Sequence, residues 1–419
     1  MTRFKLTASA VLCSLIAMRV ALAQEGGPRL NSDSLAAIIR RQSPAVTLAA
    51  ARLKEAKAGQ AGLNLPANTN PYLSLTAGPG YSRPPKADFE FMLSLQWPLD
   101  FTFSRTGRID VANEMVAQFT ANYADVIREE TMATMATAIR LAIAHERYQL
   151  CVKRSELDDQ LVHTAQIRQT AGTAADADVA LARISLAQSQ VLANSASAEN
   201  SNLTVALAFE LGLPTDSALQ LETNFLLPFL SARDEPKHAE LDDLLAVITK
   251  RPDTRRAFAS LSAAQADVRL QASLGTPIPS VLLASGRGPG YQLSGGLGVP
   301  VPIYQRNQTA RAISKAHVET SSQSASVTVR SAEAQVRSLH INYHAARQSF
   351  AIMTDVFTAI TQAEHLALRS YELGQVNLTQ ALMSRRETMQ ARNVYLESKA
   401  AAAQAFVALQ IALGAYDGQ

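Results

Sequence analysis

Gly172 and Gly374 lie 202 positions apart, and so do Gly212 and Gly414. The stretch Tyr371–Gly414 therefore aligns with an earlier stretch, His163–Gly212, over 40 positions without a gap. A second set of landmarks repeats as well, since Pro44 and Pro252 are 208 apart and so are Pro71 and Pro279. An internal duplication of this kind requires two similar halves that build one body. After Gly374 about 40 residues run without proline, dominated by Ala, Leu, Gln, Glu, Arg and Met, a composition that favours a single long helix.

The halves carry the same order of elements. The first repeat spans 24–214 and the second 237–419, with a connector of mixed composition over 215–236. Each reads as a helix, a β-hairpin (71–98 and 279–300) and a long helical hairpin. The opening helices, about Ser34–Asn64 and Glu240–Ser273, hold Pro44 and Pro252 in their interiors, which predicts kinks. Asp33 or Ser32 caps the first. From about Ser104 to Thr170 there is no proline and only Gly107; some 65 residues of helix reach roughly 100 Å, far more than an ordinary globular domain needs. In the matching helix, about Asn307–Leu373, Val336, Leu339, Tyr343, Ala346, Phe350, Met353, Phe357 and Ile360 recur at alternating three and four, the spacing of a coiled-coil seam. The fold class is mainly α with a small antiparallel β part.

Met1–Ala23 reads as a secretory signal peptide, with a basic start at Arg3 and Lys5, an apolar core and Ala21-Leu22-Ala23 before the cleavage point. The formal charge is +3; removing Arg3, Lys5 and Arg19 brings it to zero, so the basic pI of 8.8 is no argument for nucleic acid. Only Cys151 remains outside the signal, which excludes an intrachain disulfide.

The strands alternate. Phe89, Phe91, Leu93, Leu95 and Trp97 share one face, and Asp88, Glu90, Ser94 and Gln96 the other, with Met92 the exception; Gly78–Lys86 is a turn-rich loop leading back to Tyr72–Ala77. In the second hairpin, Ser280–Ser285 and Tyr291–Val299 flank the loop Gly286–Gly290, and Tyr291, Leu293, Leu297 and Val299 share a face. A lone hairpin is barely stable, and few other elements are available to cover these. Trp97 and Tyr291 lie near strand ends, where an interfacial aromatic belt places them. Exported strands with an apolar outer face point to an outer-membrane barrel. Four strands cannot close one and open edges are not tolerated in lipid, so several chains must contribute; three give twelve strands. Polar lumens and narrow seams suit the chain's mean hydropathy of −0.01.

Taken together, the duplicated helix–hairpin–helix–helix order, a Tyr-x-x-Gly-x(8)-Leu pattern at Tyr371, Gly374 and Leu382, and the closing Ala412-Leu413-Gly414 resemble the outer-membrane efflux proteins of the TolC family over essentially all of 31–414. Pro300-Val301-Pro302-Ile303-Tyr304-Gln305-Arg306-Asn307-Gln308 is similar to a segment of that family's CzcC-like branch, which serves heavy-metal efflux. The resemblance implies a homotrimer in outer-membrane lipid, with a 12-stranded barrel and a periplasmic α-helical barrel. Its partners would be a periplasmic adaptor (membrane fusion protein) and an inner-membrane RND-type transporter. It implies an exit channel for heavy-metal cations, with drug efflux or type I protein secretion as alternatives. It also implies adaptor contact at the tips Ala171, Gly172, Thr173, Leu373, Gly374, Gln375 and Val376, and a latch between Tyr371 and Asp178 that closes the aperture. Gln380 and Met383 stand where the family often carries aspartates, and Val376 stands where it sometimes has arginine.

Other chemistry has no support in the residues. His340 and His344 are four apart on a helix, but without a third ligand nearby in sequence they read as a solvated or lumen-facing pair. Met132 and Met135 read as core or lumen residues, and Asp176 and Asp178 as helix-start charges. Gly286–Gly290 joins strands and opens no helix, so it is no phosphate loop. No nucleophile motif is present. Neither enzyme activity nor a cofactor is expected. A periplasmic coiled-coil adaptor or structural protein is the alternative of another class; an adaptor also needs a lipoyl-like β-domain, and none is visible.

Overall fold

A computed structural model describes residues 29–61, 63, 70–82, 86–99, 104–217, 219–231, 245–288 and 290–414. The signal peptide, Asn64, Glu240 and parts of the loop at 78–86 and of the connector lie outside these residues. In order, the elements are β1 (Arg29–Leu30), α1 (Ser32–Gln42), α2 (Pro44–Ala58), β2 (Tyr72–Ser82), β3 (Lys86–Pro98), α3 (Ser104–Thr170), α4 (Asp176–Glu210), β4 (Gln220–Leu221), α5 (Leu227–Leu230), α6 (Pro252–Leu274), β5 (Ser280–Arg287), β6 (Tyr291–Gly298), α7 (Gln308–Glu372) and α8 (Leu378–Ala412). The duplication is plain in the lengths: α3 and α7 have 67 and 65 residues, and α4 and α8 have 35 each.

Several boundaries differ from expectation. Pro44 does not kink one helix but starts a second, because the residue before proline avoids helical geometry; Ser43 takes an extended conformation and splits α1 from α2. Pro252 occupies the first turn of α6 rather than an interior position, where its missing N–H costs nothing. The cap of α1 is Asn31, whose side chain accepts from Ser34 N at 2.8 Å while Ser34 Oγ accepts from Asn31 N at 2.9 Å. Strand pairing continues through Gly78–Ser82 and resumes at Lys86, making the first hairpin longer than expected. Pro79 is tolerated there because β2 is an edge strand within the chain.

The contacts form two compact units, and neither coincides with a repeat. One comprises 48–125 and 248–332, the other 1–47, 126–247 and 333–419, so each draws on both halves. The first unit contains a single antiparallel sheet in the order β2-β3-β5-β6. Its register joins the two hairpins through β3 and β5 and aligns Leu73, Leu95, Leu283 and Gly295 across the four strands, with Leu75, Leu93, Ser285 and Leu293 in the next row of the same face. All the apolar residues that the alternation groups together therefore lie on one face. That face is open: Leu75 is 67% exposed, Phe89 64%, Leu293 85% and Leu297 76%. The opposite face is polar or small. There the Ser74 and Ser94 hydroxyls share a hydrogen bond of 2.6 Å, and Gln96 donates to Ser280 at 3.2 Å. Met92 and Leu282 are its apolar exceptions.

The second unit is helical. The coiled-coil seam of α7 packs on α8, with Tyr343 against Phe406 at 6.1 Å and Phe357 against Tyr395 at 4.4 Å between ring centres. A two-residue parallel sheet, β1 with β4, ties the start of the described chain to the connector. Met135 is fully buried and Cys151 is buried, with burial raising the thiol pKa. No described helix is long and apolar enough to cross a membrane.

Candidate functional site

The ends of α3 and α7 are built alike. Gly172 and Gly374 sit at φ +73° and +74°, the left-handed region in which glycine has no side-chain clash. At the first turn, Thr173 N donates to Arg168 O and Gly172 N to Gln169 O, both at 2.9 Å; at the second, Gln375 N donates to Ser370 O at 2.9 Å and Gly374 N to Tyr371 O at 3.0 Å. This crossed pair of bonds satisfies carbonyls that a helix end otherwise leaves unpaired. The sequence repeat is thus a repeat of helix-ending geometry.

The helices that leave the turns are capped differently. Asn377 caps α8 with a reciprocal bond to Gln380. Ala175 begins α4 without a side-chain cap, and Asp178 reaches back to accept from Ala175 N at 3.3 Å. Gln169 spans the first turn by donating to Asp176 at 2.7 Å.

The structure brings the two tips together. Leu161, Val162, Ala165, Val179, Ala182, Tyr371, Leu378 and Ala381 form one buried cluster on four helices, with Val376 and Leu382 packed against it. The sequence reading missed the residue that joins the turns: Arg168 donates to Tyr371 O at 2.8 Å, and its guanidinium lies 4.9 Å over the Tyr371 ring. Its only sequence signal is a basic residue in a helix's last turn, which favours the negative end of the helix dipole. Leu373, Gly374, Gln375, Ala171, Gly172 and Thr173 are all exposed.

Tyr371 and Asp178 are neighbours but not bonded. The Tyr371 hydroxyl is buried without a hydrogen-bond partner. Its pKa is pushed up, chiefly by burial, then lowered in part by Arg168 and raised by Asp178. The Tyr371–Asp178 bond that the resemblance implies is not formed in this structure, where Asp178 accepts from Ala175 N instead.

A few turns from the tips, Asp158 on α3 and Arg385 on α8 form a buried ion pair at 2.6 Å, with Arg154 a further 3.6 Å partner. The segment Pro300–Gln308 forms a joint. Asn307 adopts φ +57° and donates to both the backbone and the side-chain oxygen of Gln271, while Arg306 and Gln308 bond to Pro302 and Tyr304 carbonyls. Together these bonds fasten the exit of β6 to α6. Trp97 and Tyr291, 51% and 85% exposed, lie on the apolar face. The register puts Tyr291 level with Phe91, six residues from Trp97, so the two aromatics bracket a band about 20 Å long measured along the strands.

No family model matches the sequence, and no curated protein matches it. Solved structures do. The CmeC outer membrane channel of Campylobacter jejuni superposes with a TM-score of 0.76 at 14% identity, covering 94% of this chain and 90% of its own. CusC, described in terms of transmembrane channel formation, gives 0.74 at 15% identity over 94% of this chain and 95% of its own. The outer membrane protein VceC of Vibrio cholerae gives 0.73 at 16% identity, covering 91% and 96%. At these identities the likeness speaks for the fold, and it extends over nearly the whole length on both sides: this chain has the fold of the outer-membrane channel proteins.

Proposed function

We propose that the protein is the outer-membrane exit channel of a tripartite RND-type efflux system, working as a homotrimer. The observation that carries this reading is the sheet. Four strands of 8 to 13 residues expose one apolar face and leave β2 and β6 with open edges. In water such a face and such edges invite aggregation. In a bilayer they are stable only once the edges are paired. Pairing β6 of one copy with β2 of the next closes a barrel of twelve strands. At a strand tilt of about 35–45° the apolar band between Trp97 and Tyr291 covers roughly 15 Å of bilayer, within the roughly 25 Å that outer-membrane barrels present.

The paired tips are the surface proposed for the periplasmic adaptor, with Gly172 and Gly374 allowing its helical hairpin to approach. Tyr371 and Asp178 are proposed to bond in a closed conformation of the aperture. Heavy-metal cations are the proposed cargo, a reading supported by the Pro300–Gln308 segment. The adaptor alternative is disfavoured because the four long strands among the described residues belong to one open sheet, not to a lipoyl-like domain.

The test is to express the full chain and examine the membranes. A heat-modifiable trimer in the outer-membrane fraction that conducts ions in a planar bilayer supports the channel. A water-soluble monomer without conductance overturns it. Deleting the gene and comparing sensitivity to divalent metals with sensitivity to organic drugs separates the metal reading from the alternatives.

A further inference from the structure

His340 and His344 project from one turn of α7 to the next. Their rings meet edge to face with centres 4.5 Å apart, and the two Nε2 atoms are 3.2 Å from each other. His344 is exposed and His340 half-buried, so the open side of the pair is reached from solvent. An imidazole nitrogen binds a transition metal at about 2.0–2.1 Å. Two nitrogens 3.2 Å apart then subtend an angle of about 100° at a shared ion, between the right angle of a square or octahedral site and the tetrahedral angle. A hydrogen bond between two imidazoles needs only one contact of this length. A chelate needs this length and this spacing of four on a rigid helix, and both are present.

We propose that His340 and His344 form a two-imidazole chelate for a borderline divalent transition cation on the wall of the helical unit, open to solvent. Among the described residues no group of three or more His, Cys, Asp and Glu side chains gathers there or anywhere else, so water completes the coordination and the ion exchanges readily. The neighbouring cation does not block the site. The Arg347 guanidinium is held by Tyr343, donating to its hydroxyl at 2.7 Å and lying 5.9 Å over its ring. Imidazole pairs favour Cu²⁺ most strongly, then Ni²⁺ and Zn²⁺, and discriminate against Mg²⁺ and Ca²⁺, which prefer oxygen. The site is completed within one helix of one chain.

The experiment uses the tag-free full chain in detergent with Cu²⁺ as probe, read by electron paramagnetic resonance and by titration calorimetry. One Cu²⁺ per chain with two equatorial imidazole nitrogens is expected. Losing an outer hydrogen bond to a metal ligand already costs about 10–100-fold in affinity. His340→Gln and His344→Gln should therefore each weaken binding by about a hundredfold or more, and His317→Gln should leave it unchanged. Circular dichroism checks that each variant keeps its helices, and the exposure of His344 makes its replacement the safer of the two. Unchanged affinity in both variants, or a Cu²⁺ signal without two imidazole nitrogens, overturns the site.

Discussion

Arg385 Nη1 lies 2.6 Å from Asp158 Oδ1, with both side chains buried and 227 positions apart in the chain. The pair bolts the last helix to the first long one just beyond the tips. Removing Arg385 leaves the buried Asp158 only its longer contact to Arg154, and breaking a buried pair costs up to about 3–5 kcal/mol, whereas replacing both members with apolar residues of similar size is often neutral or stabilising. Arg385→Met should therefore lower the melting temperature of the detergent-solubilised protein sharply. Asp158→Leu combined with Arg385→Met should recover most of the loss. Equal melting of the single and double variants would show that the pair is not buried in the assembled protein.

The glycine turns rank by what surrounds them. A side chain at Gly172 meets nothing within 4 Å, and one at Gly374 comes only to 3.8 Å from Arg168. Alanine at either costs only the left-handed backbone, about 1–2 kcal/mol. Gly212 is also left-handed, at φ +68°, but a side chain there runs into the Gln42 carbonyl, at the break that Pro44 makes between the first two helices. Thermal melts should therefore place Gly212→Ala well below Gly172→Ala and Gly374→Ala. Adaptor pull-down should show the reverse order of harm, since only the latter two change the proposed contact surface.

The Tyr371 hydroxyl is buried and unpaired, a situation that costs about 1–3 kcal/mol. Tyr371→Phe keeps the ring under Arg168 and removes the orphan group, so the variant should melt no lower than the parent. If the hydroxyl bonds Asp178 when the aperture closes, the same variant should also admit large antibiotics that resting cells exclude. Unchanged permeability would remove Tyr371 from the latch.

Element type and order were legible because long proline-free runs admit little but helix and because the strands alternate, with Met92 the exception on β3 and Gly295 on β6. The apolar face was legible for the same reason: alternation fixes which side chains share a side before any pairing is known. Boundaries were less so. Gly78–Ser82 reads as a loop from its glycines and proline, yet pairing with β3 outweighs local preference. Arg168, Asp158 and Arg385 were invisible, because nothing local marks a charge whose partner lies some 200 residues away. Tyr371 and Asp178 were singled out by resemblance alone; the cap that Asp178 places on Ala175 N is a local contact that the resemblance did not show.

Glu210 closes α4. Burial raises its carboxyl pKa above the ordinary 4.5, against the opposing influence of the nearby Thr137 and Thr134 hydroxyls and the charge of Arg140. Thr137 holds one oxygen at 3.0 Å, and the other has no partner. The folded chain thus holds this proton more tightly than the unfolded one. Its contribution to stability is fullest below the unfolded pKa and is lost as pH rises from about 4.5 through the folded value. Glu210→Gln should melt higher than the parent at pH 7, with the difference vanishing near pH 4. A difference that grows on acidification would reverse the sign and refute the assignment.

The apolar sheet face gives the sharpest separation between a membrane barrel and a soluble sheet. Leu293 is 85% exposed on that face, near the middle of the band bracketed by Trp97 and Tyr291, and Ser294 beside it points to the polar side. On a soluble protein, arginine at an exposed position is nearly neutral wherever it lies. On the lipid face of a barrel it costs about 2–4 kcal/mol near the midplane, and three copies incur it together. Leu293→Arg should therefore deplete the heat-modifiable trimer from the outer-membrane fraction, while Ser294→Arg should leave the trimer intact and alter conductance from the lumen side. If the two variants assemble equally well, the face does not meet lipid.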